Sequence, residues 1–166
     1  MCDVAIPNKE IIFVYEKEVL NRTNQNSVSV SISQAIFSGD TKKLQSLLEN
    51  FMLQSISSMD GANEAFYHGM MLGLCAVLGN RYQVRSNRES GRRRFDVQLA
   101  PLVSGIPGFL FEFKHTNDEH VDLDALADSA LRQIDEKKYD AELRSAGINS
   151  VIKIGIAFRG KNAVVK

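Results

Sequence analysis

Two strand-like runs joined by a turn-rich segment constrain this chain more than any other feature. The first is Arg94-Phe95-Asp96-Val97-Gln98-Leu99 and the second is Phe109-Leu110-Phe111-Glu112-Phe113-Lys114. Between them, Pro101-Leu102-Val103-Ser104-Gly105-Ile106-Pro107-Gly108 is rich in turn formers and suits a hairpin. Residues two apart in a strand share a face, so Glu112 and Lys114 project together while Phe111 and Phe113 project oppositely. Pairing the runs could bring the Asp96 carboxylate beside that of Glu112, from which fifteen residues separate it, with a lysine next to both. Charges that interrupt an apolar strand have to be paired, hydrated or functional, and a structural Glu112–Lys114 ion pair is the simplest alternative. Two carboxylates and water suit a hard cation such as Mg2+, and an adjacent ammonium suits a water nucleophile or developing negative charge. Glu136-Lys137-Lys138 repeats the acid-any-lysine triplet, but in an expected helix, where residues two apart do not share a face.

The rest of the chain reads as helices around these strands. Ile12, Val14, Tyr15 and Val19 suggest a helix over residues 9–20, and the polar stretch 21–30 reads as a loop or connector. Ser33 to Gly39 reads as a short helix or turn stopped by glycine. Asp40 is a suitable N-cap for a helix through about Gln54, with Leu44, Leu47, Leu48 and Phe51 on its buried stripe. A helix from about Asp60 to Leu78, ended by Gly79-Asn80, is apolar almost all round and is expected to be deeply packed. Tyr82 to Ser86 reads as a strand. Residues 122–145 read as one long amphipathic helix closed by Gly147. Val151 to Phe158 is a continuous apolar strand suited to a central, doubly covered position, and Gly160-Lys161 turns into a last strand, Asn162 to Val165. This order predicts an α/β sandwich with a mixed sheet and extra N-terminal helices. Two regions are expected: residues 1–30 as N-terminal helix and connector, and residues 31–166 as the main domain.

At 166 residues, 44% hydrophobic and 24% charged, the chain can bury a real core as one domain. No apolar run approaches the roughly 20 residues a membrane helix needs. Two cysteines do not make a disulfide framework, and Cys75 reads as a small core residue, so the cytoplasm is the expected compartment. The zero net charge argues against coating nucleic acid by bulk electrostatics. Yet six of the ten arginines fall between residues 81 and 94, immediately before Asp96. Such a patch can hold phosphates beside a metal site, or merely discourage edge-to-edge aggregation. Zinc is not expected, since His68, His115 and His120 show no ligand spacing, and no Gly-rich phosphate loop with a following lysine is present.

Asp96 and Glu112-Phe113-Lys114 together resemble the PD-(D/E)XK nuclease superfamily. Asn63 to Gly69, Ser86 to Gly91 and Ile154 to Phe158 look like the branch that follows an AAA-ATPase-like domain in many bacterial proteins. Ile6 to Glu10 looks like the segment joining the two. The resemblance implies a restriction-endonuclease-like core and a Mg2+- or Mn2+-dependent nuclease acting on nucleic acid, DNA before RNA, as monomer or homodimer. It also implies an AAA-ATPase-like domain or partner. The alternative is a catalytically inactive module that keeps the fold for binding or regulation.

On that resemblance Asp96 and Glu112 would ligate the metal, the Phe113 carbonyl would add a third oxygen, and Lys114 would handle the attacking water or the transition-state charge. Glu64 matches a frequent acidic position on the first core helix and could hold a metal-bound water; otherwise it complements the helix dipole. His68, one turn along, could reach the pocket or be a satisfied core histidine. Gln133 matches a glutamine found on the helix after the lysine strand. Tyr139 stands six residues on, where the related pattern has four, and is expected to pack rather than to share the Gln133 face. Arg88, Arg92, Arg93 and Arg94 are the phosphate-contact candidates. Arg93 stands where a glycine is usual, and it could crowd the site, add a phosphate contact or point to solvent.

Overall fold

The computed structural model describes residues 28–56, 62–86 and 95–166; the helix expected over residues 9–20 lies outside them. Three helices come first: α1 (Val28–Ser38), α2 (Thr41–Ser55) and α3 (Glu64–Ala76). Helix α1 begins inside the stretch expected to be a connector. Its serines are absorbed locally, with Ser33 Oγ donating to the Ser29 carbonyl at 2.7 Å, and burial of Ile32, Ala35 and Ile36 supplies the drive to fold. Gly39 at φ +66° stops it. Asp40 caps α2 as expected, accepting from the Lys43 N–H at 3.0 Å, and Leu44, Leu48 and Met52 are fully buried.

Helix α3 starts at Glu64 behind an Asn63 cap that accepts from the Phe66 N–H at 3.1 Å. It is not buried all round. Tyr67, His68, Met71, Leu74 and Cys75 face the core, while Ala65, Gly69, Gly73 and Ala76 are exposed. Small residues carry apolar character without bulk, so a uniformly apolar helix can still leave one side in water.

The sheet has five strands in the order β1 (Tyr82–Arg85), β2 (Val97–Pro101), β3 (Gly108–His115), β4 (Val151–Arg159) and β5 (Asn162–Val165). Neighbours are antiparallel except β3 and β4, which are parallel and joined through α4 (Leu123–Glu136) and α5 (Ala141–Ser145). It is a restriction-endonuclease-like α/β fold, a mixed sheet between two helical layers. Helices α1 to α3 cover Phe109, Phe111, Phe113, Ile154, Ile156 and Phe158 on one face. Helices α4 and α5 cover Leu110 and Ala157 on the other. β4 thus holds the doubly covered position its apolar run requires. No helix among the described residues is long and apolar enough to cross a membrane.

The long helix expected over residues 122–145 is broken. Lys138 adopts φ +52°, and the Tyr139 N–H reaches back to the Ile134 carbonyl at 3.2 Å. Lys153 of β4 pins both sides of the break, at 2.6 Å from Asp135 and 3.4 Å from Asp140. Tyr139 turns inward against Phe95, Ile134 and Leu143. Helical spacing continues across the break because both pieces bury residues on the same sheet face. Gly147, at φ +83°, closes α5 rather than one long helix.

Candidate active site

Three elements meet at one end of the central strands. Val97 stands opposite Phe111, and the Asp96 N–H also reaches the Phe111 carbonyl at 3.2 Å, so Asp96 lies just past the end of the paired run, near enough to Glu112 for their charges to interact. Asp96 precedes the regular strand instead of lying within it, because its carboxylate, not its main chain, takes the next N–H. Its Oδ2 accepts from the Phe113 N–H at 2.7 Å. The N–H and C=O of a strand residue point to the same side, so the Phe113 carbonyl also faces Asp96.

Glu112 is 4% exposed. Its Oε1 accepts from the Gln133 amide and lies 3.6 Å from Lys114 Nζ. The Gln133 carbonyl oxygen in turn accepts from the Lys114 ammonium, so one amide from α4 bridges acid and lysine. Glu112 Oε2 is buried without a hydrogen-bond partner among the described residues.

Gln133 reaches the pair because β4 carries Gly155 directly beside Glu112, which lets α4 lie close to the sheet. The break after α4 then brings the Tyr139 hydroxyl within 3.4 Å of the Gln133 amide. The two were expected on different faces, and they would be on an unbroken helix. Tyr139 also packs as expected, edge-on to Phe95.

Burial, followed by the charge of Asp96, pushes Glu112 up from 4.5 to about 8, although Lys114 opposes the shift. Burial also raises Asp96, against the N–H bond from Phe113 and the charge of His68. The native state therefore keeps a Glu112 proton that the unfolded chain releases. This contribution to stability is complete below pH 4.5 and is lost as pH rises to about 8. Urea midpoints of metal-free protein should fall between pH 5 and pH 8.5 by on the order of a few kcal/mol in stability. Glu112→Gln should lose most of that slope; an identical slope in the variant would refute the assignment.

The other candidates are placed as follows. Glu64 is exposed in the first turn of α3, close enough for its charge to raise both acids. His68 is buried, with Nε2 at 3.0 Å from the Asp96 carbonyl and 2.9 Å from Ser86 Oγ. A carbonyl only accepts, so this nitrogen carries the hydrogen, and His68 ties α3 to the main chain at Asp96. Arg88, Arg92, Arg93 and Arg94 lie outside the described residues. Gln98, fully buried near the acids, was not among the candidates; alternating with Val97 and Leu99, it reads from the sequence as an outward residue.

No group of three or more His, Cys, Asp or Glu among the described residues is arranged to hold a metal ion. The centre instead offers an unpartnered buried carboxylate oxygen, a second carboxylate and a main-chain carbonyl facing it. These are hard oxygen donors, and they fit a Mg2+-like cation that keeps part of its water shell.

The profile of the PD-(D/E)XK nuclease superfamily matches residues 62–166, well over half of the chain. The chain belongs to that superfamily. The match spans α3, the whole sheet and α4, so every element contributing to the acid–lysine centre of this PD-(D/E)XK domain lies inside it. Nucleases of this superfamily act on nucleic acid and commonly use divalent metals. No curated protein matches the chain.

Proposed function

We propose that this PD-(D/E)XK domain is a metal-dependent nuclease that hydrolyses phosphodiester bonds, in DNA before RNA. The observation that carries the reading is Glu112: a buried carboxylate with one unpartnered oxygen, beside Asp96 and bridged to Lys114 by Gln133. Asp96, Glu112 and the Phe113 carbonyl would hold Mg2+ or Mn2+, with Glu64 holding a water of its shell. When bound, the cation supplies Lewis-acid polarisation of the phosphate and a more acidic water. Lys114 orients or deprotonates the attacking water, or stabilises charge on the phosphoryl oxygens. Gln133 holds Lys114 and Glu112 in register, and Tyr139 holds Gln133. Arg88, Arg92, Arg93 and Arg94 bind backbone phosphates as charge-assisted donors, and His68 steadies the Asp96 main chain.

Within the same reading, the part of residues 1–30 that precedes α1 forms the junction to an AAA-ATPase-like domain or partner of the bacterial type. The setting is cytoplasmic, and the working form is a monomer or homodimer. The resemblance in Ile6 to Glu10 and Asn63 to Gly69 supports this part.

A second reading, a catalytically inactive binding or regulatory module, draws on the absence of a three-ligand acidic group among the described residues. The test is incubation of supercoiled plasmid, single-stranded DNA and RNA with Mg2+, Mn2+ or EDTA, alongside calorimetric titration of metal. Cleavage that EDTA abolishes supports the nuclease and names its substrate. Nucleic-acid binding with neither cleavage nor metal uptake supports the inactive module.

A further inference from the structure

Gln98 is fully buried in β2, and neither its amide nitrogen nor its amide oxygen has a hydrogen-bond partner among the described residues. An amide left so costs about 1–3 kcal/mol unless something satisfies it. Gln98 stands opposite Arg85 on β1 and Leu110 on β3. Leu110 packs with Ile134, Tyr139 and Leu143, so Gln98 lies on the sheet face that α4 and α5 cover. Asp96 is two residues away along the chain, and Glu112 is the diagonal neighbour across the ladder. Diagonal positions of an antiparallel pair stand roughly 7–8 Å apart.

Glu112 Oε2 is a second buried polar atom without a partner, on that same face. A third, His115 Nε2, belongs to the opposite face, where its ring lies 5.8 Å from that of Tyr67. Gln98 and Glu112 therefore form a set, and together they supply the two or more polar partners that a buried water requires. At hydrogen-bond lengths of about 2.8–3.0 Å, one water bridges polar atoms up to roughly 5.5–6 Å apart, a separation within reach of two long side chains at diagonal positions.

We propose that Gln98 binds a buried water against Glu112 Oε2 and is a positioning residue for that carboxylate. The Gln98 amide donates to the water, which accepts from Oε2 while Glu112 is protonated and donates to it once Glu112 is ionised. With Gln133 on Oε1, the carboxylate is then held from both sides. An ionised carboxylate oxygen can accept more than one partner, so Oε2 keeps the water while also taking a cation. Hydrogen-bond partners of metal-ligating groups typically account for about 10–100-fold in metal affinity.

The positioning role rests on the nuclease reading, whereas the water does not. The test is a high-resolution crystal structure of the parent protein, together with calorimetric Mg2+ titration of parent and Gln98→Met, which keeps length and volume but removes both polar atoms. An ordered water bonded to the Gln98 amide and Glu112 Oε2, and Mg2+ affinity about tenfold or more weaker in the variant with unchanged DNA affinity in EDTA, support the inference. No such water overturns it, as does a variant with higher thermal midpoint and unaltered Mg2+ affinity, because Gln98 would then be an unsatisfied amide and nothing more. A parent that shows the water but takes up no Mg2+ supports the water and overturns the nuclease reading alone. Should Gln98→Met fail to fold, the parent crystal structure decides.

Discussion

Asp96→Ala and Glu112→Ala are each expected to reduce metal-dependent cleavage by on the order of 1000-fold or more. A metal-held oxygen supplies several kcal/mol of transition-state stabilisation, and each factor of ten corresponds to about 1.4 kcal/mol. Neither loss should follow from unfolding. Glu112 carries a buried oxygen without a partner among the described residues, and its carboxyl is pushed up to about 8, so removing it takes away an unsatisfied polar group as well as a contact. Asp96 caps the Phe113 N–H, and its alanine variant should be less stable by about 1–2 kcal/mol while remaining folded. Lys114→Ala should cost about 100- to 10000-fold in rate with Mg2+ binding retained, since the ammonium acts on water or phosphate rather than on the cation. Plasmid cleavage with circular dichroism on the same samples checks all three. Wild-type cleavage by folded Asp96→Ala would place the chemistry elsewhere.

Gly155→Ala should damage both the fold and the site. A Cβ at Gly155 would lie 2.5 Å from the Ala127 carbonyl oxygen and 3.0 Å from the Leu131 amide nitrogen, both main-chain atoms of α4. Main chain in a helix cannot swing aside as a side chain does, so α4 has to lift from the sheet. Overpacking of this kind costs about 3 kcal/mol. Alanine's advantage over glycine in a strand, about 0.5–1 kcal/mol, is too small to offset that. At about 2–4 °C per kcal/mol for a chain of this size, the thermal midpoint should fall by about 6–12 °C. Gln133 rides on α4, so its bridge between Glu112 and Lys114 opens too. Mg2+ affinity and the Glu112 titration should change even at temperatures where the variant stays folded. An unchanged midpoint would show that α4 does not lie as close to β4 as described.

Most of the sheet was legible from residue order because its signals are local. Alternation in residues 109–114 set Glu112 and Lys114 on one face and the phenylalanines on the other, as observed. Asp40 and Gly39 marked a helix boundary through side-chain capping and a left-handed turn, interactions that span three or four residues. The pairing of β2 with β3, which brings Asp96 onto the Glu112-Phe113 segment, followed from a hairpin whose turn lies in the sequence itself.

The misreadings share a cause. Residues 28–30 looked like connector, since serine and valine alternate there, yet buried Ile32 and Ile36 commit them to α1. Residues 122–145 kept helical spacing across a break, since spacing records which residues are buried and not whether the main chain is continuous.

The sequence alone determined the strands, their alternation and the acid–lysine set, because each depends on neighbours along the chain or across one hairpin. Tertiary structure alone decided that Gln133 bridges Glu112 and Lys114, that Tyr139 turns back to Gln133, and that Gln98 is fully buried. Those contacts depend on how deeply α4 settles over Gly155 and where it breaks, and both are set by packing between segments far apart in the chain.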